Sequence, residues 1–199
     1  MTASTIARLQ RINQSLPKYL LIANLVIIIA IFLSIPLVHK GIDSISFYRL
    51  PFVQENLNFV LIRSGVSGAA LAGALAFALS ALLGACFSAA RIALYLAIWI
   101  STGRWTLALV EVLRQGGTKA YALVAFVMII SVMAYFVFFP AHYLGSHAPE
   151  SQVELADYPY AFFLGRICYG TIFFIMLPQL VLAPAVVVFG ICRDARREI

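Results

Sequence analysis

Long runs of apolar residues, separated by short polar segments, dominate the hydrophobic pattern of this chain. The first runs from Tyr19 to Val38, and a later one covers Ala120 to Phe139. About 20 apolar residues are enough for a helix to cross the hydrocarbon core of a bilayer. The pattern predicts an all-α, polytopic integral membrane protein with about four transmembrane helices, at residues 19–38, 64–90, 120–139 and 161–190.

The second apolar region, from Ser64 to Ser101, is longer than one span needs. It contains a single charge, Arg91, and no Pro, Asn or Asp that would favour a turn. We therefore expect one span with a helical extension to residue 101, about 57 Å long at about 1.5 Å per residue. This arrangement places Arg91 at the cytoplasmic surface.

Two connecting segments are predicted to lie at the membrane surface. In residues 104–115, Arg104, Glu111 and Gln115 share one helical face, which indicates a short cytoplasmic amphipathic helix. Residues 41–58 mix polar and aromatic side chains, as is typical of a segment at the interface.

Composition removes the possibility of a separate soluble domain. The chain has 199 residues, of which 63% are hydrophobic and 11% charged, whereas soluble domains carry roughly 25% charged residues. Residues 1–199 therefore form a single membrane domain surrounded by the lipid bilayer. The net charge of +6 comes from small basic groups beside the apolar runs, which is not the basic stripe of a nucleic-acid-binding protein.

The distribution of basic residues predicts the orientation. Cytoplasmic loops carry an excess of Lys and Arg, and an even number of spans places both termini on that side. The loop that follows residue 140 contains acidic residues and no Lys or Arg up to residue 159, as expected outside. We predict a multi-pass protein of the cell inner membrane with cytoplasmic N- and C-termini. The outer basic residues are then Lys40, Arg49, Arg63 and Arg166, and the inner ones are Arg8, Arg11, Lys18, Arg91, Arg104, Arg114, Lys119, Arg193, Arg196 and Arg197.

The usual carriers of catalysis are absent from the predicted spans. None of the eight Asp and Glu residues falls within one, although membrane enzymes and proton-coupled carriers usually keep ionisable groups there. The sequence also lacks a phosphate-binding glycine loop, a Cys-x-x-Cys pair and a nucleophile elbow. We therefore predict no enzymatic activity, no catalytic residue and no cofactor.

Three histidines are the best exception, although they are weak candidates for a metal site. His39, His142 and His147 all fall on the predicted outer side, where imidazoles could converge on a metal ion or haem. They show no regular ligand spacing. Single histidines at the polar interface are the favoured interpretation.

Other polar and sulfur-bearing residues are given structural roles. Cys86, Cys168 and Cys192 are interpreted as buried thiols that act as small apolar residues. Arg63 and Arg166, near the outer surface, are expected to snorkel to the headgroups and form ion pairs. An anion-attracting vestibule is the alternative for these two arginines. Gln179, deep in the last span, could donate to a carbonyl freed by Pro178 or to a neighbouring helix.

The strongest pattern is a row of small residues at every fourth position of the second span. Helices in lipid associate where small side chains allow their backbones to approach closely. The row is therefore predicted to be a helix-packing face, either within the chain or against another subunit. Its members are Gly68, Ala72, Ala76, Ser80, Gly84 and Ser88.

These observations favour a non-catalytic integral membrane component, such as an accessory or assembly subunit of a larger membrane complex. Its partners would be lipid and other membrane subunits or further copies of itself, but not nucleic acid. The alternative is a small oligomeric transporter or channel, in which Pro178 and Pro184 break the last helix. A weaker alternative is a haem or metal redox protein that uses the outer histidines.

The predicted orientation is tested with single cysteines in a cysteine-free background. A cysteine at Ser151 should react with an impermeant thiol reagent from outside, and one at Gln115 from the cytoplasmic side. Labelling of both positions from the same side would contradict the four-span topology.

Overall fold

The described part of the chain is entirely helical. The computed structural model describes residues 2–33, 49–64, 67–103, 127, 129, 131–132 and 157–195. Within these ranges it contains four helices and no strand: α1 (Ala3–Leu33), α2 (Pro51–Ser64), α3 (Ser67–Thr102) and α4 (Pro159–Ala195). Helices α1, α3 and α4 are long and apolar enough to cross a membrane, which supports a multi-pass membrane protein.

The helix ends differ from the predicted spans in an informative way. Helix α1 begins at Ala3, so Arg8 and Arg11 lie on the helix itself and not on an irregular tail before it. Helix α3 is continuous to Thr102 and is followed by Gly103, whose φ of +63° suits a residue without Cβ. The Gly103 amide donates to the Trp99 carbonyl at 2.7 Å and so completes the last turn. The predicted span at 120–139, except for four positions, and the predicted interfacial helix at 104–115 lie outside the described residues.

Helix α2 was not predicted. The mixed polar and aromatic pattern of residues 41–58 indicated a surface segment, but its described part enters a helix that begins at Pro51. Four side chains of this helix are buried, and their spacing places them on one helical face. In the sequence, this spacing of three and four residues was the signal that could have predicted α2. The buried residues are Val53, Asn56, Leu57 and Val60.

The helices contribute to two compact units, and α1, α3 and α4 each contribute a segment to both. Among the described residues, unit 1 contains 2–19, 85–103, 127, 129 and 174–195, and unit 2 contains 20–33, 49–64, 67–84, 131–132 and 157–173.

Alanines of α3 form the centre of unit 2. Five of them between residues 70 and 78 are almost fully buried, together with Phe77, in a cluster with residues of α1, α2 and α4. Because their side chains are short, neighbouring helices can approach α3 on several sides. The Phe163 ring lies against Gly73 so closely that no Cβ would fit there. This half of α3 therefore depends on small side chains for its packing.

The part of α3 in unit 1 is buried along a single stripe. Phe87, Ser88, Arg91, Tyr95 and Ile98 are buried, and the positions between them are exposed or half-buried. These five residues follow the three-and-four spacing of one helical face. The stripe combines apolar side chains with a serine and an arginine.

Helix α1 is also buried along one stripe. Asn13, Leu20, Asn24 and Ile31 are buried, and their spacing of seven, four and seven residues keeps them on one side of the helix. The opposite side presents large apolar side chains, as expected of a helix that faces lipid. These exposed residues are Tyr19, Leu21, Ile22, Leu25, Val26 and Ile29.

The small-residue row of α3 is buried within this chain. Ala72, Ala76, Ser80, Gly84 and Ser88 are buried, and Gly68 is half-buried. Ala72 and Ala76 belong to the apolar cluster of unit 2. These members of the row therefore pack against helices of their own chain.

Ala76→Leu should destabilise the folded protein. Ala76 is 0% exposed, and adding a branched side chain to a filled core typically costs about 1–3 kcal/mol. Thermal unfolding in detergent measures this loss. Leu82→Phe is the control, because Leu82 is 41% exposed and should tolerate the larger ring. Equal unfolding temperatures for both variants and the wild-type protein would show that the row reflects only an alanine-rich composition.

Candidate functional site

Pro178 leaves a backbone carbonyl of α4 without its helical donor. In an α-helix the amide of residue 178 would donate to the carbonyl of Phe174, but proline has no N–H group. The Ser88 hydroxyl donates to this carbonyl instead, at 2.8 Å. The last member of the small-residue row therefore takes the place of a missing backbone donor. The sequence had suggested Gln179 as a donor to such a carbonyl, whereas the donor to the Phe174 carbonyl is Ser88 of α3.

The guanidinium of Arg91 links α3 to α1 and α4 within unit 1. Its Nε donates to Asn13 Oδ1 of α1 at 3.2 Å, and its Nη1 donates to the Ile175 carbonyl of α4 at 2.8 Å. Its Nη2 donates to the hydroxyl of Tyr95, one turn further along α3, at 2.8 Å. One side chain thus connects three helices.

Aromatic rings complete the surroundings of Arg91. The guanidinium carbon lies 5.6 Å from the centroid of the Phe87 ring and 5.4 Å from that of Tyr95. A cation is attracted to ring faces at such distances. Arg91, Asn13 and Tyr95 are each 6% exposed. We refer to Arg91, Asn13, Tyr95, Ser88 and Phe87 as the Arg91 cluster.

The local sequence explains how this cluster forms. Positions 87 and 88 precede Arg91 by four and three residues and Tyr95 follows it by four, so α3 carries them on one face. The sequence interpretation placed Arg91 at the cytoplasmic surface and gave it no partners. In the structure its side chain is buried within unit 1, because Asn13 and the Ile175 carbonyl supply acceptors.

A second polar contact joins α1 and α4 in unit 2. Asn24 Nδ2 donates to Thr171 Oγ1 at 2.7 Å, and the threonine hydroxyl donates to the Ile167 carbonyl at 2.6 Å. Since the hydroxyl has already used its only hydrogen, Asn24 must be the donor. Asn24 was not among the polar residues singled out from the sequence, whereas Gln179 was. The signal was an asparagine within the apolar run that begins at Tyr19.

Arg166 does not snorkel. It is 5% exposed, and its guanidinium carbon lies 4.6 Å from the centroid of the Phe162 ring in unit 2. The expected snorkelling required a side chain extended towards the headgroups. Instead, the Arg166 side chain is buried against the Phe162 ring, one turn earlier on α4.

The prediction that the cysteine side chains are buried is wrong for two of them. Cys86 and Cys168 are free and exposed, although they were expected to be buried. On helix faces turned towards lipid, a small apolar side chain fits as well as it does in a core. The side chain of Cys192 lies outside the described residues.

The weak metal candidates His39, His142 and His147 lie outside the described residues. Within the part of the chain that the structure describes, no three His, Cys, Asp or Glu residues are grouped to hold a metal ion.

Comparison with protein-family models, with curated proteins and with solved structures finds no match for this chain. The functional interpretation therefore depends on the contacts described above.

The role of Ser88 is tested by a double-mutant cycle with Pro178. Ser88→Ala should destabilise the protein by about 0.5–1.5 kcal/mol, because the buried hydrogen bond to the Phe174 carbonyl is lost. In a Pro178→Ala background the restored amide can donate to Phe174, so the same serine change should cost clearly less. Unfolding by denaturant in detergent measures the four proteins. Equal costs of Ser88→Ala in the two backgrounds would contradict the substitution of one donor for the other.

Proposed function

We propose that this protein is a non-catalytic component of a membrane, acting as an accessory or assembly subunit of a larger membrane complex. We further propose that it belongs to the cell inner membrane, with both termini cytoplasmic.

This proposal is supported by the hydrogen bonds that polar side chains form between helices. Arg91 binds α1 and α4, Ser88 binds α4, and Asn24 binds α4 through Thr171. Two of these contacts end on backbone carbonyls, which hold their positions within a helix. Polar contacts of this kind stabilise the association of membrane helices. Helices held together in this way suit a subunit whose outer surface binds partners.

The apolar side of α1 provides such a surface. Its six large exposed side chains are each about half exposed or more, from 48% for Ile22 to 61% for Tyr19. Lipid and an apolar helix of another subunit both satisfy these side chains. An accessory subunit would use this side against its partners.

A small oligomeric transporter or channel is the second candidate, and Arg91 is the observation that favours it. Ionisable residues in membrane helices often mark ion or substrate pathways, and Pro178 interrupts the backbone bonding of α4 beside it. Arg91 is, however, bound to both neighbouring helices, which favours a fixed position over alternating access. A haem or metal protein that uses the outer histidines remains the third candidate.

The first two candidates are separated by purification in mild detergent followed by an uptake assay. We expect a reproducible set of membrane partner subunits to co-purify with the tagged protein. We also expect the purified protein alone to show no proton-coupled uptake in vesicles. A lone protein that moves solute when the external pH is lowered would overturn the accessory proposal and support transport. An absorption spectrum of the same sample tests for haem.

A further inference from the structure

We propose that Arg91, Tyr95 and Asn13 form a binding site for a phosphate-type oxyanion. The phosphate of a lipid headgroup and free phosphate share this chemistry. The inference is independent of the proposed function, since a subunit, a transporter or a channel can each bind such an anion.

Arg91 has more hydrogen-bond donors than the described residues accept. A guanidinium carries five N–H groups and no acceptor. Three of these groups donate to Asn13, Tyr95 and Ile175. The other two, one on each terminal nitrogen, have no hydrogen-bond partner among the described residues. Both lie in the plane of the guanidinium.

Tyr95 adds a further donor at the same edge. Its oxygen accepts from Arg91 Nη2, so its own hydrogen is left to donate. Within the described ranges this hydrogen has no partner either. The adjoining N–H of Arg91 and the Tyr95 hydroxyl can therefore bind two oxygens of one anion. Paired oxygens are what an arginine fork recognises in phosphate and carboxylate groups.

The positive charge of Arg91 also favours a bound anion. The acceptors that it contacts are an amide, a hydroxyl and a backbone carbonyl, and all three are neutral. No carboxylate forms an ion pair with it among the described residues. Holding a guanidinium away from water costs several kcal/mol unless a charge of opposite sign compensates it. An anion would supply that compensation.

The position of Arg91 along α3 matches the depth of lipid phosphates. The uncharged stretch from Gly68 to Ala90 is about 34 Å long at about 1.5 Å per residue. A hydrocarbon core about 30 Å thick accommodates this stretch. Arg91 then lies at the boundary with the headgroups. Tyr95 and Trp99 follow it, and aromatic residues of these two types are enriched at that depth.

The experiment measures ligand binding to the full-length protein, delipidated in dodecyl maltoside. Three probes are titrated: dihexanoyl phosphatidylglycerol, inorganic phosphate and dihexanoyl glycerol, which lacks the phosphate. The readout is the unfolding temperature, with dissociation constants taken from tryptophan fluorescence. We expect the phospholipid to stabilise the protein, and the phosphate-free lipid to have no effect.

Variants assign this binding to the cluster. Arg91→Gln should weaken phospholipid binding by at least about tenfold, because charge-assisted hydrogen bonds are roughly twice as strong as neutral ones. Arg91→Lys keeps the charge but loses the fork, and Tyr95→Phe removes the hydroxyl donor. Both should weaken binding several-fold, and they keep the test possible if Arg91→Gln does not fold. Arg63→Gln is the control, because it removes the same charge at an exposed position and should leave binding unchanged.

The source of the anion follows from the two phosphate probes. Stabilisation by the phospholipid alone identifies a headgroup, whereas equal stabilisation by inorganic phosphate identifies a free oxyanion. Either result supports the site if the Arg91 and Tyr95 variants weaken it. The proposal is overturned if neither probe stabilises the wild-type protein, or if the variants bind both as tightly as the wild-type protein does. Neither outcome depends on whether partner subunits co-purify.

Discussion

In a helix surrounded by lipid, every backbone carbonyl needs a hydrogen-bond donor from the protein itself. Pro178 makes this requirement acute at Phe174, because residue 178 has no amide hydrogen to give. The donor comes from Ser88 on α3, and Arg91, less than one turn further on, donates to the adjacent carbonyl of Ile175. Two further N–H groups of Arg91 donate to Asn13 and Tyr95. Two of the polar contacts of unit 1 thus end on adjacent carbonyls of α4, one turn before Pro178.

In unit 2 the helices pack closely because the side chains of α3 are small, whereas in unit 1 hydrogen bonds connect the helices. Alanines and Gly73 occupy α3 where residues of α1, α2 and α4 are packed around it, and the Phe163 ring fills the space above Gly73. Further along the same helix, larger residues such as Phe87 and Tyr95 take over, and burial narrows to one stripe. The two parts of α3 therefore pack differently, one through small side chains on several sides and the other through larger side chains on one stripe. The change occurs near Gly84, where the two units divide the helix.

Sequence patterns predicted the helical class and a membrane setting, because apolar runs of about 20 residues are typical of membrane-spanning helices. They did not predict α2, since its buried face includes Asn56 and its pattern resembles an interfacial segment. They also could not predict the partners of Arg91 or Arg166. A long side chain in a span can reach headgroups, a ring or a carbonyl, and only the placement of Phe162, Asn13 and Ile175 decides which. Ser88 was identified for its size, whereas its hydroxyl proves equally important.

The two sides of α1 are under different constraints, and this affects how the chain can change over evolutionary time. Positions such as Leu21 and Leu25 face away from the rest of the protein, so any apolar residue of similar length would serve there. Asn13 and Asn24 contribute specific atoms to hydrogen bonds, and Leu20 and Ile31 fill defined spaces on the same side. The packing of this chain itself therefore permits apolar substitutions on the outward side, and only a partner would restrict them. An ancestral α1 would be recognisable mainly by two asparagines eleven residues apart within a drifting apolar background.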